Sequence, residues 1–354
     1  MTLPDVARLH SLGRAGGPGS AVRVGIIGTG VMGADHARLL HGAVSGASLT
    51  ALFDVDRERA AAVAGGAPGA RVMADPHDLI RDSEVDAVLV ASSDPTHEEF
   101  VLASIAAGKP VLCEKPLAPT VDGCQRILDA EARLGARLVS VGFMRRYDPG
   151  YVDLKATLDS GRIGVPLVLH CVHRNPTAPQ GLPSSAVITN SAVHELDTTR
   201  WLLGEEIVAV TVHTPRRSAV AGSTQDPQFL VLESASGVII DVEVFVNARY
   251  GYDVRCELVG EQGAATLDAP AATVLRGAGV AGRGLPADWR PRFAEAYRRE
   301  LQDWVDGLRA DGTPRGASAW DGYAATLVAS AAVAALESGS RQPVQLPARP
   351  ALYR

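Results

Sequence analysis

From Val22 to Phe143 the apolar positions come in short unbroken runs, "VRVGIIG", "LTALFD", "DAVLVAS", "PVLCE" and "RLVSVGF". Longer stretches with apolar residues at helical spacing separate them. Runs of this length, rich in Val, Ile and Leu, predict strands, and their lack of a polar alternate position predicts burial on both faces. Helices are expected to start near Val31, Arg57, Thr96 and Pro119. This alternation of strand and helix predicts an α/β fold with a parallel, doubly wound sheet. After Tyr147 the pattern changes. "VPLVLHCVHR", "IVAVTVHT", "QFLVLESA", "GVIIDVEVFVN" and "DVRCELVGE" read as strands with few helices between them, which predicts an antiparallel or mixed sheet in an α+β domain. Two helices accompany it, one from about Ser191 to Leu203 stopped by Gly204 and one from Pro291 to about Arg309. "GSRQPVQLP" is expected to return as a last strand. The boundaries that follow are 1–20 for a mobile extension ending in "GRAGGPGS", 21–145 for the first domain and 146–354 for the second.

Composition narrows the partners. The chain has 354 residues, 46% of them hydrophobic and 21% charged, enough for two domains with cores of their own. Its net charge of −6 and the absence of like-charge runs argue against nucleic acid and anionic membranes, so a small molecule is the expected partner. Cys113, Cys124, Cys171 and Cys256 are isolated, without zinc spacing, and are expected to be reduced core thiols of a cytoplasmic protein. The run "ATLVASAAVAAL" is too short to span a bilayer and predicts a packed helix. No transmembrane segment and no metal are expected.

"GIIGTGVMGADHARLL" places Gly28, Gly30 and Gly33 as G-x-G-x-x-G between a strand and a helix, with Val31 and Met32 inside the turn. Glycines at this spacing let the backbone turn tightly and approach a pyrophosphate, whose charge the helix N-terminus favours. The first domain is therefore expected to be a dinucleotide-binding Rossmann domain. Asp54 closes the second strand, where a carboxylate accepts hydrogen bonds from the ribose hydroxyls and repels a 2′-phosphate, which favours NAD over NADP. Asp54 as a cap for the helix near Arg57, and Arg57 as a phosphate ligand, are the competing readings. Ser93, Pro95, Thr96 and His97 of "SSDPTHEEF" either line the cofactor crevice or form a turn and helix cap. Glu114 and Lys115 of "CEKP" end a buried apolar run and are cofactor-side candidates, with a solvated loop as the alternative for Lys115. In "TNSAVHELD", Asn190 precedes His194 by four residues and Asp197 follows by three, so in one helix they share a face. Asn190 either contacts His194 or caps a helix beginning at Ser191.

Together "GTGVMGADHARLL", "FDVDRERA", "AGKPVLCEKPLA", "VGFMRRYDPGY", "HCVHRNPT" and "VHELDTTRWLLG" resemble the Gfo/Idh/MocA oxidoreductase family, most closely its inositol 2-dehydrogenase branch. The resemblance runs in order from about Val22 to the C-terminus. It implies a Rossmann domain joined to a large open-faced, mostly antiparallel sheet, through which members assemble as dimers or homotetramers. It also implies NAD-dependent oxidation of a secondary hydroxyl of a cyclitol (inositol-like or aminocyclitol) or a pyranose sugar to a ketone, or the reverse reduction. Lys115 matches the family's catalytic lysine and His194 its catalytic histidine. Met144, Arg145, His173, Asn175 and Asp197 match positions that contact the polyol or its surroundings, as do Tyr252 and Tyr297. In that role His194 takes the hydroxyl proton while Lys115 stabilises charge on the oxygen. Asn190 departs from the pattern, because aspartate is typical four residues before the histidine. An amide there offers a weaker hydrogen bond than a carboxylate and leaves the base weaker. Asn190 thus joins the catalytic candidates, and it keeps open the reading of a redox-silent NAD-binding regulatory protein; a further alternative is an NAD-dependent glycoside hydrolase, in which hydride transfer is transient and the cofactor is recycled.

Overall fold

The structure is a computed structural model that describes residues 21–267 and 273–354. The expected mobile extension, 1–20, lies outside the described residues. The chain divides into two compact units. One holds the described residues up to Phe143 together with Tyr297–Thr326 and Ala348–Arg354; the other holds Met144–Ala296 and Leu327–Pro347. The second domain expected as one stretch, 146–354, thus has segments assigned to the first unit. Nothing in the local apolar pattern marks that return, because it is set by pairing across the chain.

The apolar runs of the first unit become strands β1 (Val22–Ile27), β2 (Ala47–Phe53), the two-residue β3 (Arg71–Val72), β4 (Ala87–Val90), β5 (Val111–Glu114) and β6 (Val139–Gly142). They pair in parallel in the order β3-β2-β1-β4-β5-β6, and Ala317–Ser318 adds an antiparallel edge on β6. Reversal of direction beside β1 creates the switch point at which such sheets bind ligands. Every residue of β4, β5 and β6 is buried, as their unbroken apolar character requires. The connecting helices are α1 (Val31–Gly42), α2 (Arg57–Gly65), α3 (Pro76–Arg81), α4 (His97–Ala106) and α5 (Val121–Leu134). Local chemistry sets their ends. Asp75 caps α3 with Pro76 in its first turn; Thr120 accepts from the Gly123 N–H to start α5, and Gly135 in the left-handed region stops it.

The second unit begins with α6 (Pro149–Asp159). Its sheet is built from β7 (Pro166–Arg174), β8 (Ile207–His213), β9 (Gln228–Ser234), β10 (Ile239–Phe245), β11 (Asp253–Gly260) and β12 (Gly263–Leu267). The order is β12-β11-β7-β10-β9-β8, with Gln342–Pro343 on the outer edge of β8; only the β7–β10 pair is parallel. The mostly antiparallel sheet expected from the sequence is present. Burial alternates along it: Leu230, Leu232 and Ser234 of β9 are buried while Val231 and Glu233 between them are half-exposed. The half-exposed face carries ion pairs, including Arg174 with Glu243 at 2.6 Å and Arg341 with Glu233 at 2.6 Å. A small hairpin, β13 (Val274–Gly277) and β14 (Val280–Arg283), follows.

Two helices close the chain, α8 (Trp289–Ala310) and α9 (Ala319–Ser338). The alanine-rich run read as too short for a membrane lies inside α9, which at 20 residues is long enough by length and composition alone. Most of it is buried, including Trp320, Ala325, Val328 and Ala332, as befits a core helix of small residues. All four cysteines are buried and unlinked; Cys171 and Cys256 face each other across β7 and β11 with sulfurs 3.9 Å apart.

Candidate active site

The glycine turn of the first unit has the geometry its spacing predicts. Gly28 holds φ at +93°, and a Cβ there would lie 2.5 Å from the Ala91 carbonyl oxygen. A Cβ on Gly33 would lie 1.8 Å from the Gly28 carbonyl oxygen, so only glycine lets α1 pack this close to the turn. Gly30 faces nothing within 4 Å, which leaves room for a pyrophosphate against the start of α1, and no side chain caps that helix. These features fit a dinucleotide. Val31 stands exposed beside the turn and Met32 half-exposed.

Asp54 is not the cap of α2. That place belongs to Asp56, which accepts from the Arg59 N–H at 3.1 Å. Asp54 instead accepts from the Thr29 N–H (2.7 Å), the Thr29 hydroxyl (2.9 Å) and the Asp56 N–H (2.9 Å), and pairs with Arg59 at 2.6 Å. Burial pushes its carboxyl up, but Arg59 and these donors prevail and hold it at about 2. Arg59 is the arginine that pairs with Asp54.

Ser93 and Pro95 are exposed after β4, in a short 3-10 turn leading into α4. Thr96 does not cap α4; its hydroxyl donates to the Ser93 carbonyl at 2.8 Å. His97 is buried with Nδ1 2.7 Å from the Pro116 carbonyl oxygen and Nε2 3.1 Å from that of Ser92. Its ring thereby ties the loop after β4 to the loop after β5 that carries Lys115. Lys115 is half-buried, precedes a cis peptide to Pro116, and donates its N–H to Glu114 at 3.3 Å. Glu114 itself is buried and bonded to His36 Nε2 at 2.8 Å. Burial raises the Glu114 carboxyl, while His36, Lys115 and His97 outweigh that and hold it below the usual range. Tyr297 belongs to this unit, its ring edge-on to His36 at 5.8 Å. His36 was invisible in the sequence, where it reads as one more position on the buried face of α1.

In the second unit the helix expected from Ser191 begins earlier. One turn at Ser184–Ala186 continues through a π-helical segment, Val187–Ala192, into α7 (Val193–Leu203), which Gly204 ends in the left-handed region. Asn190 is therefore not a helix cap. It sits inside the wide i→i+5 turn, exposed, with its side-chain oxygen accepting from the Thr189 hydroxyl at 3.3 Å. Wide turns of this kind recur at functional sites. His194 follows in the first turn of α7 and is buried.

Around His194 the fold gathers most of the substrate-side candidates. Its ring lies 6.3 Å from that of His173, and His173 is edge-on to Tyr252 at 6.0 Å. Arg145 is fully buried between the rings of Tyr151 and Phe293 and is salt-bridged to Glu195. Glu195 also reaches His173 Nδ1 at 3.0 Å. Burial pushes Glu195 up, and Arg145 and His173 pull it below the usual carboxylate range. Burial likewise raises the Tyr252 phenol to about 12. Asp197 is sealed from solvent and holds Arg146 through two hydrogen bonds, 2.9 and 2.5 Å. Met144 is buried beside Arg145 in sequence, and Asn175 is half-buried with its backbone bonded to Phe245 and Ala248. Glu195 and Arg146 escaped the sequence reading although each adjoins a residue it named; their neighbours in "VHELD" and "MRRY" were the available signal.

Residues 22–143 match the model of an oxidoreductase family with an NAD-binding Rossmann fold, and residues 155–346 match that family's C-terminal alpha/beta domain. The chain belongs to the Gfo/Idh/MocA oxidoreductase family. As a member of the Gfo/Idh/MocA family it is an NAD-dependent oxidoreductase, as the glycine turn and Asp54 led one to expect. Inositol 2-dehydrogenase 2 of Saccharopolyspora erythraea is 57% identical over 333 residues, 94% of this chain and 98% of that protein. An inositol 2-dehydrogenase of Pseudomonas fluorescens is 51% identical over 94% of this chain and 99% of its own length. Among solved members of the family, myo-inositol dehydrogenase from Lactobacillus casei in complex with NAD(H) and myo-inositol superposes with a TM-score of 0.91 at 36% identity, covering 94% of this chain and 100% of that one.

Proposed function

We propose that the protein oxidises a secondary hydroxyl of a cyclitol, inositol-like or aminocyclitol, or of a pyranose sugar, or runs the reverse reduction, with His194 as acid/base and Lys115 assisting. The observation that carries this reading is the buried cluster of Arg145, Glu195, His173, Tyr252 and His194, a mixture of donors and acceptors suited to a ring bearing several hydroxyls, in a chain 57% identical to an inositol 2-dehydrogenase. NAD, when bound, accepts the hydride. His194 takes the hydroxyl proton, a role suited to a side chain whose ordinary pKa lies near neutrality. Lys115 stabilises the negative charge that develops on oxygen. The half-exposed face of the second sheet is the proposed surface for self-association into a dimer or tetramer, which light scattering tests.

NADH formation is measured with a panel of inositols, aminocyclitols and pyranoses. At least one is expected to be turned over, and His194→Ala is expected to lose roughly 10²–10⁴-fold in rate with NAD affinity kept. A chain that binds NAD but turns over no polyol or sugar in either direction defeats the proposal. Asn190, an amide where aspartate is typical of the family, is the ground for one competing reading, a binding protein without turnover. That reading gains if Asn190→Asp creates activity where there was none; it loses if the unaltered chain already turns over.

A further inference from the structure

The first carboxylate–imidazole couple to look for in this chain is the one at residues 190 and 194, where an amide stands. The structure holds such a couple elsewhere. Glu195 Oε2 lies 3.0 Å from His173 Nδ1, with both side chains almost completely buried, at 2% and 3% exposure. The other oxygen of Glu195 is salt-bridged to Arg145. Arg145 also approaches His173 Nδ1, at 3.2 Å. One ring nitrogen cannot serve both neighbours. As N–H it donates to Glu195 and faces the Arg145 N–H donor in repulsion; as a lone pair it accepts from Arg145 and faces the carboxylate oxygen in repulsion. The shorter contact is to Glu195, and Arg145 keeps that carboxyl below its usual range even though burial alone raises it. A bond from N–H to a carboxylate is the stronger choice. His173 Nε2 makes no hydrogen bond among the described residues, and the ring lies 6.3 Å from that of His194.

We infer that Glu195 is a positioning residue that holds His173 in the Nδ1–H form, so that His173 presents Nε2 to the substrate as a hydrogen-bond acceptor. This rests on the cyclitol or sugar reading above and deepens it. A hydroxyl of the substrate that meets His173 must donate, and its own oxygen is then left to accept from another group. The site selects for hydroxyl direction at that carbon as well as for shape. Glu195 achieves this without touching substrate.

The experiment is nitrogen NMR of protein labelled with ¹⁵N-histidine, the His173 signals being assigned by their loss in His173→Gln. It is combined with steady-state kinetics on myo-inositol. In the unaltered chain Nδ1 is expected to carry the proton. In Glu195→Gln the amide oxygen stays with Arg145 and the NH₂ turns to His173, so the proton moves to Nε2. The KM for myo-inositol then rises about ten-fold, the loss of one hydrogen bond, with kcat changing far less. Glu195→Asp keeps a carboxylate and is expected to restore both the Nδ1–H form and most of the KM. A purely structural Glu195 would lower stability without moving the proton. The inference is overturned if the unaltered His173 is protonated on Nε2, if Glu195→Gln leaves the proton on Nδ1, or if the proton moves and KM does not. Should Glu195→Gln fail to fold, the spectrum of the unaltered chain and of Glu195→Asp decides. Absence of myo-inositol turnover by the NAD-loaded chain would count against the substrate reading, and the spectrum would still decide the tautomer.

Discussion

Asp54 accepts hydrogen bonds from two backbone N–H groups, one hydroxyl and one guanidinium, and among these Arg59 does most to lower its carboxyl to about 2. A carboxyl lowered on folding contributes stability that is present above its unfolded value, roughly 4, and is lost as pH falls through about 2. Arg59→Ala is therefore expected to move the Asp54 midpoint upward, read from its side-chain carbonyl signal in an NMR titration, and to bring the acid loss of stability to higher pH. An unmoved midpoint would mean that the Thr29 and Asp56 donors suffice alone. The cap assigned to Asp54 as one alternative went instead to Asp56, two residues on, because the cap must precede the first helical turn directly and Asp54 is still closing β2.

At the scale of elements, Asn190 and Thr120 make a controlled pair. Thr120 accepts from the Gly123 N–H at the start of α5, whereas Asn190 lies within a continuing helical path. Thr120→Ala is expected to cost about 1 kcal/mol, and Asn190→Ala less than about 0.5 kcal/mol as an exposed position without a cap, both measured by urea denaturation. Equal losses would restore a capping role to Asn190. The same contrast explains what was legible in advance. Strands buried on both faces, such as "DAVLVAS" and "PVLCE", announce themselves because no polar residue interrupts them, and α5 is framed by Thr120 and Gly135. By contrast β3, with both residues exposed, and the two-residue strand Ala317–Ser318 exist only because a neighbouring strand is there to pair with. The early start of α7's helical path was hidden for a related reason. The helix was expected only from about Ser191, and the π-helical segment before it has no apolar period of its own to betray it. Among the candidate residues, Lys115 and His194 stood out by motif. Glu195 and His36 did not, since each acquires meaning only through a partner 22 and 78 positions away respectively.

Across the whole molecule, the last residues return to the first unit. The Tyr353 hydroxyl donates to Glu131 at 2.6 Å, and the other oxygen of that fully buried carboxyl accepts from the Leu138 and Val139 N–H groups at 2.5 and 2.8 Å. Burial pushes Glu131 above its usual range, and these three donors oppose it. Tyr353→Phe removes one of them and is expected to cost about 1–3 kcal/mol, seen as a lower urea midpoint; an unchanged midpoint would show that the two backbone donors are enough. The consequence reaches back to the making of the chain. When the ribosome has finished β6, the nucleotide sheet still has an open edge where Ala317–Ser318 will later pair, and Glu131 still waits for its phenol. The half of the protein that is synthesised first is the half that is completed last. A nascent chain holds an unfinished sheet edge through the synthesis of about 175 further residues, from Gly142 to Ala317, and an evolutionary exchange of nucleotide domains at a single cut near residue 145 would leave that edge behind.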